Sequence, residues 1–126
     1  TGVQTCALPI CITMCTALVS ALTKNSVKTD VAMTGEITLR GRVLAVGGLK
    51  EKILAAQQYK MKTVVVSTEN KDDVEEVLKE LDAGINVVYA DTMDDVLRAA
   101  LEKNPFPRKR MTKKRTTTKK AVVKKK

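Results

Sequence analysis

The side chains that could do chemistry in this sequence are lysines, hydroxyls, carboxylates and three cysteines, because histidine is absent. That absence removes imidazole base catalysis and every zinc site that needs an imidazole ligand. Cysteines stand at positions 6, 11 and 15. A Cys-x3-Cys spacing with no other Cys or His nearby does not make a metal site, so no metal is expected. Cys11 and Cys15 read as inert, small apolar residues. An amine acts as a base only when neutral, and burial favours that state because the charged form is then poorly solvated. Lys50 and Lys52 follow Gly47-Gly48 at the start of a helical pattern. Two positions apart on a helix, they point to different sides, so one pocket can take only one of them. The apolar stripe Leu49, Ile53, Ala56 puts Lys52 nearer the buried side. Thr34 and Glu36 flank Gly35; on their own they read as a turn hydroxyl and a solvated carboxylate at a strand end. Gly47 and Gly48 suit either a close backbone approach or a plain strand-to-helix turn.

The elements that position these groups follow from apolar periodicity. A helix is expected over 12–24, with Ile12, Cys15, Leu18, Val19 and Leu22 on its apolar face and Asn25 as its stop. Short strands are expected at 31–33, 37–39 and 43–46, with Arg40-Gly41 as a tight hairpin turn. A helix over 49–58 precedes a β-branched strand at 63–66. Asn70 is expected to cap the next helix, lined by Val74, Val77, Leu78 and Leu81. A strand at 85–89 leads to a helix over 93–103, started by Thr92 and Asp95 and ended by Asn104-Pro105 and Pro107. The β-α-β-α order from residue 63 predicts an α/β fold with parallel pairing, and the hairpin adds an antiparallel part. No internal repeat is present.

Composition agrees with one small aliphatic core. Of the 126 residues, 44% are apolar but only 2% aromatic. The net charge of +9 is uneven: residues 108–126 hold 11 of the 23 Lys/Arg and no acid, leaving 12 basic against 14 acidic side chains elsewhere. This tail cannot bury enough surface to offset its ordering entropy and is expected to be disordered over 105–126. Arg108, Lys109, Arg110, Lys113, Lys114 and Arg115 are candidate contacts to DNA, RNA or another polyanion, bound without sequence preference. No aromatics are interleaved there to stack on bases. The alternative function is thus a basic-tailed nucleic-acid-binding or non-catalytic interaction module. Cysteines confined to the first fifteen residues do not form a secreted disulfide framework, and no apolar run reaches membrane-spanning length, so a reducing cytoplasmic setting is expected. The stretch 7–14 lacks the basic flank and cleavage site of a signal peptide.

The run Asp30-Val31-Ala32-Met33-Thr34-Gly35-Glu36-Ile37-Thr38-Leu39-Arg40-Gly41 resembles the signature of the Lon proteolytic domain, and Gly47-Gly48-Leu49-Lys50-Glu51-Lys52 continues it. Ile12-Thr13-Met14-Cys15-Thr16-Ala17-Leu18-Val19-Ser20 resembles the helix after that family's nucleophilic serine, and Lys62-Thr63-Val64 and Glu69-Asn70-Lys71 also match. The resemblance spans roughly residues 11–103. It implies a fold of the Lon proteolytic type (ribosomal-protein-S5-domain-2-like), a mixed sheet with packed helices, incomplete over 11–104. It implies a Ser–Lys dyad with Lys52 as general base, Thr34 orienting the amine and Glu36 in the surrounding polar network. The family's Pro-Ser-Ala-Gly-Ile-Thr aligns with Leu8-Pro9-Ile10-Cys11-Ile12-Thr13, so Pro9 stands at the nucleophile's position and Cys11 at a glycine. Residues 1–10 read as a non-native, adapter-derived segment. The family implication is an ATP-dependent serine endopeptidase that degrades unfolded or damaged proteins as a hexamer, with this chain itself inactive. ATP and Mg belong to an AAA+ module, and no Gly-x4-Gly-Lys-Ser/Thr loop occurs here, so no cofactor is expected in this chain.

Overall fold

The computed structural model describes residues 11–81 and 84–105. The order is α1 (Ile12–Thr23), β1 (Val31–Met33), β2 (Glu36–Ile37), β3 (Val43–Leu44), α2 (Leu49–Gln58), β4 (Thr63–Ser67), a 3-10 turn (Thr68–Asn70), α3 (Lys71–Leu81), β5 (Asn86–Ala90) and α4 (Met93–Ala100). Strands β1, β4 and β5 form a parallel sheet in the order β1-β4-β5, with Val31 opposite Thr63 and Thr63 opposite Asn86. The α/β class and its parallel pairing are as expected. The antiparallel strands do not join that sheet to make it mixed. Strands β2 and β3 pair with each other as a separate two-stranded ribbon, Glu36 opposite Leu44, and single bridges tie Glu36 to Cys11 and Arg42 to Thr92.

The central strand explains the layering. Successive side chains of a strand face opposite ways. Val65 joins Ile12, Val43, Ala90, Met93, Val96, Leu97 and Leu101 on one face, under α1 and α4. Val64 and Val66 join Leu49, Ile53, Ala56 and Val74 on the other, under α2 and α3. A strand covered on both faces has no polar side, hence the run Val64-Val65-Val66.

Several local expectations change. In α1 only Ile12 and Thr16 are buried, Cys15 and Val19 are half-buried, and Leu18 and Leu22 are exposed. The Thr16 hydroxyl returns to the Ile12 carbonyl at 2.7 Å, which lets a polar residue sit on the inner face. The hairpin turn is centred on Leu39-Arg40, closed by the Gly41 amide donating to the Thr38 carbonyl at 2.8 Å. Gly41 follows in the left-handed region at φ 82°, the glycine position of a three-residue loop. Strand β2 runs over 36–37 rather than 37–39, β3 stops at Leu44, and β5 is displaced by one residue to 86–90. Helix α4 stops at Ala100, not 103, and prolines do not end it. Leu101 leaves helical geometry to bridge Val27, and the Glu102 amide donates to the Ser26 carbonyl, so tertiary pairing overrides the helical pattern. The start of α4 is as read: Thr92 and Asp95 form a reciprocal capping box. No helix among the described residues is long and apolar enough to cross a membrane.

Candidate functional site

Helix α2 begins after Gly48, which holds φ 66° and so turns the chain where a side chain would strain it. Leu49, Ile53 and Ala56 anchor the helix in the core. At about 100° per residue, Lys52 lies roughly 65° from the centre of that stripe, and Lys50 lies on the other flank. The two lysines accordingly separate: Lys50 pairs with Glu80 of α3, whereas the Lys52 amine donates to the Gly47 carbonyl at 3.0 Å. The hydrogen bond and charge of Glu80 push Lys50 above the ordinary lysine range.

Strand β1 runs beside α2, and the Thr34 amide extends its ladder by donating to the Val65 carbonyl at 3.0 Å. Between the two elements lies a cavity of about 360 Å³ lined by Lys52, Thr34 and the mostly apolar Ala32, Met33, Ala55, Ala56, Tyr59, Met61 and Val64. The structure therefore brings Lys52 and Thr34 to one cavity across 18 positions of sequence. Glu36 is exposed on β2 and does not line it.

The expected desolvation of Lys52 is not found. Its side chain is exposed, because its place at the rim of the helix's buried face lets a long stem carry the amine outward to Gly47. Base chemistry at such a rim requires a further covering surface that excludes water. Pro9 and the cations Arg108, Lys109, Arg110, Lys113, Lys114 and Arg115 lie outside the described residues, as do the proposed adapter segment and most of the tail.

Cys11 caps α1, its Sγ accepting the Met14 amide at 3.4 Å, and burial pushes the Cys15 thiol up, away from thiolate reactivity. Among the described residues no group of His, Cys, Asp or Glu is arranged to hold a metal ion.

Three features were missed by the sequence reading. The Gly47 carbonyl is the partner of Lys52. Ala55 and Tyr59, one and two helical turns after Lys52, line the cavity with it; the i+3 and i+7 spacing carried that signal. Asn70 does not cap α3 as expected. Ser67 instead caps the 3-10 turn that leads into α3, and the buried Asn70 amide turns to the β3–α2 loop, as described below.

The chain matches the Lon protease (S16) C-terminal proteolytic domain over residues 9–103. It is 53% identical over 95 residues to the Lon protease of Buchnera aphidicola (subsp. Schizaphis graminum), covering 75% of this chain and 12% of that protein. It is 55% identical over 92 residues to the Lon protease of Vibrio parahaemolyticus, covering 73% and 12%. Against the Lon protease of Escherichia coli (strain K12) it is 53% identical over 94 residues, covering 75% and 12%. The chain thus spans about an eighth of the length of these relatives, within the part that carries Thr34, Gly47 and Lys52. By this match the chain belongs to the Lon protease C-terminal proteolytic domain family.

Proposed function

We propose that this chain is the lysine-bearing part of a Ser–Lys endopeptidase site, in which the Lys52 amine takes the proton of an attacking serine hydroxyl and Thr34 orients it. The observation that supports this most is the shared cavity: Lys52 and Thr34, from α2 and the end of β1, line one mostly apolar hollow. Peptide hydrolysis needs the hydroxyl to lose its proton as its oxygen bonds the scissile carbonyl carbon, and the acceptor amine must be neutral at that moment. A hydroxyl-bearing segment placed over the rim would exclude water from the amine and bring the attacking oxygen to it. Glu36, exposed on β2, is proposed only as a more distant part of the polar surroundings.

In this reading the whole enzyme degrades unfolded or damaged proteins in the cytoplasm, driven by ATP, as a hexamer. The exposed Met14, Leu18 and Leu22 of α1 offer apolar surface for contacts with the rest of the domain or a neighbouring subunit. ATP and Mg do not fit the residues present: no phosphate-cradling glycine loop occurs in the sequence. With Pro9 at the nucleophile's position, the chain alone does not cleave peptides. A casein-cleavage assay paired with a serine-reactive probe tests this. The chain as it stands is expected to be silent, and a protein extended by a relative's preceding sequence, with Pro9→Ser, is expected to react. Cleavage by the unaltered chain, or silence of the extended protein when it is folded, would overturn the reading.

A further inference from the structure

We infer that Asn70 is a positioning residue for the Lys52 amine, acting through the backbone of Val46 and Gly47; the inference rests on the reading of Lys52 as the functional amine. Asn70 is 2% exposed although polar, and both the oxygen and the nitrogen of its side-chain amide are hydrogen-bonded. Its Oδ1 accepts the Val46 amide at 2.9 Å, and its Nδ2 donates to the Val46 carbonyl at 3.1 Å and to Asp73 Oδ2 at 3.2 Å. The preceding Glu69 accepts the Ala45 amide at 3.2 Å through Oε2 and pairs with Arg42 through Oε1. Two consecutive side chains at the β4–α3 junction thus hold two consecutive backbone units of the β3–α2 loop.

The next residue of that loop is Gly47, whose carbonyl receives the Lys52 amine at 3.0 Å. Gly47 and Gly48 have no side chains to fix their own course, and Gly47 has nothing within 4 Å of where a Cβ would stand. Glycine backbone left to itself samples many conformations. The carbonyl direction is therefore set by what grips the chain before it, chiefly the Asn70 amide, and by the helix after it. A buried amide paired with both polar groups of one residue is also the arrangement least tolerant of substitution, since loss leaves Val46 groups unsatisfied. This gives the motif Glu69-Asn70-Lys71 a physical task that capping does not supply.

The test reads Lys52 directly and does not require peptidase activity. In the full chain, amine-labelling rates of individual lysines are followed by peptide mass mapping, with Lys60 and Lys62 as internal references. A bonded amine must leave its carbonyl before it reacts. Asn70→Ala is expected to raise Lys52 labelling relative to the references by roughly threefold or more. If Asn70→Ala does not fold, the pair Asn70→Asp with Asp73→Asn decides. It keeps the acceptor for the Val46 amide and the link between 70 and 73 but loses the donor to the Val46 carbonyl, and should give a smaller rise. Lys52 labelling that is unchanged in the folded variants, or that rises equally with Lys60 and Lys62, would overturn the inference. Either outcome leaves the protease reading to be judged by its own assay.

Discussion

Replacing Gly35 with alanine should destabilise the fold by about 1–2 kcal/mol, through crowding and not through backbone strain. Gly35 separates Thr34 from Glu36 and is buried where β1 turns toward β2. It is not among the positive-φ glycines, so alanine can adopt its backbone. An added Cβ, however, would stand 3.0 Å from Val43 Cγ1 and 3.3 Å from Ile12 Cδ1. Val43 is 1% exposed and β-branched, and Ile12 is fully buried, so neither can simply swing away. Overpacking of this kind costs about 1–3 kcal/mol. The loss of unfolded-state freedom on going from glycine to alanine offsets about 0.4–1 kcal/mol of it. For a folded body of this size each kcal/mol moves the melting point by about 4–8 °C. Urea unfolding should show a lower midpoint with an unchanged slope. The same substitution in a Val43→Ala background should cost less by about 0.5 kcal/mol or more, because the blocking methyl is gone. Equal or greater stability of Gly35→Ala, or strict additivity with Val43→Ala, would refute the packing argument.

Ile53→Ala should cost about 2–5 kcal/mol by opening a cavity under α2, measured by the same unfolding curves; a loss below 1 would mean that the helix is not anchored there. Thr92→Ala should cost about 1 kcal/mol by removing the cap of α4. For Asp95, burial pushes the carboxyl up, but hydrogen bonds from Thr92 and the Asp91 backbone, with the Arg98 guanidinium, together hold it below the ordinary carboxylate range. Its ionised form is thus favoured by folding, and the stability it adds is full above about pH 4 and lost as pH falls further. The stability gap between the unaltered chain and Asp95→Asn should accordingly narrow from pH 6 toward pH 2.5, and a constant gap would contradict this.

Much of this arrangement was legible in the sequence because local and tertiary demands agree. Within the run Thr63–Val66, the three valines Val64, Val65 and Val66 have no polar face and lie buried on both sides of the sheet. The Thr92/Asp95 start signal and the stripe Leu49, Ile53, Ala56 likewise behave as written. The sequence misled where distant partners decide. Leu18 and Leu22 are expected on the face of Ile12, but at about 100° per residue they lie roughly 120° and 80° round the helix from it, and both are exposed. Leu101–Lys103 follow a helical pattern but pair with residues 25–27 instead. Asn70 has the composition of a cap, but the Val46 backbone from 24 positions earlier claims its amide. Spacing also separated Lys52 from Lys50 correctly, but it placed Lys52 nearer the buried side whereas its side chain is exposed, because burial of a rim residue depends on what lies over the rim.

The most direct test of the central claim compares Lys52→Met with Lys50→Met in the extended protein carrying Pro9→Ser. The measurement is the rate at which a serine-reactive acylating probe labels residue 9. Loss of a general base should slow labelling by about 10²–10⁴-fold for Lys52→Met. Lys50→Met should leave the rate close to that of the parent. Equal labelling in the two variants would contradict the assignment of Lys52 as the proton acceptor.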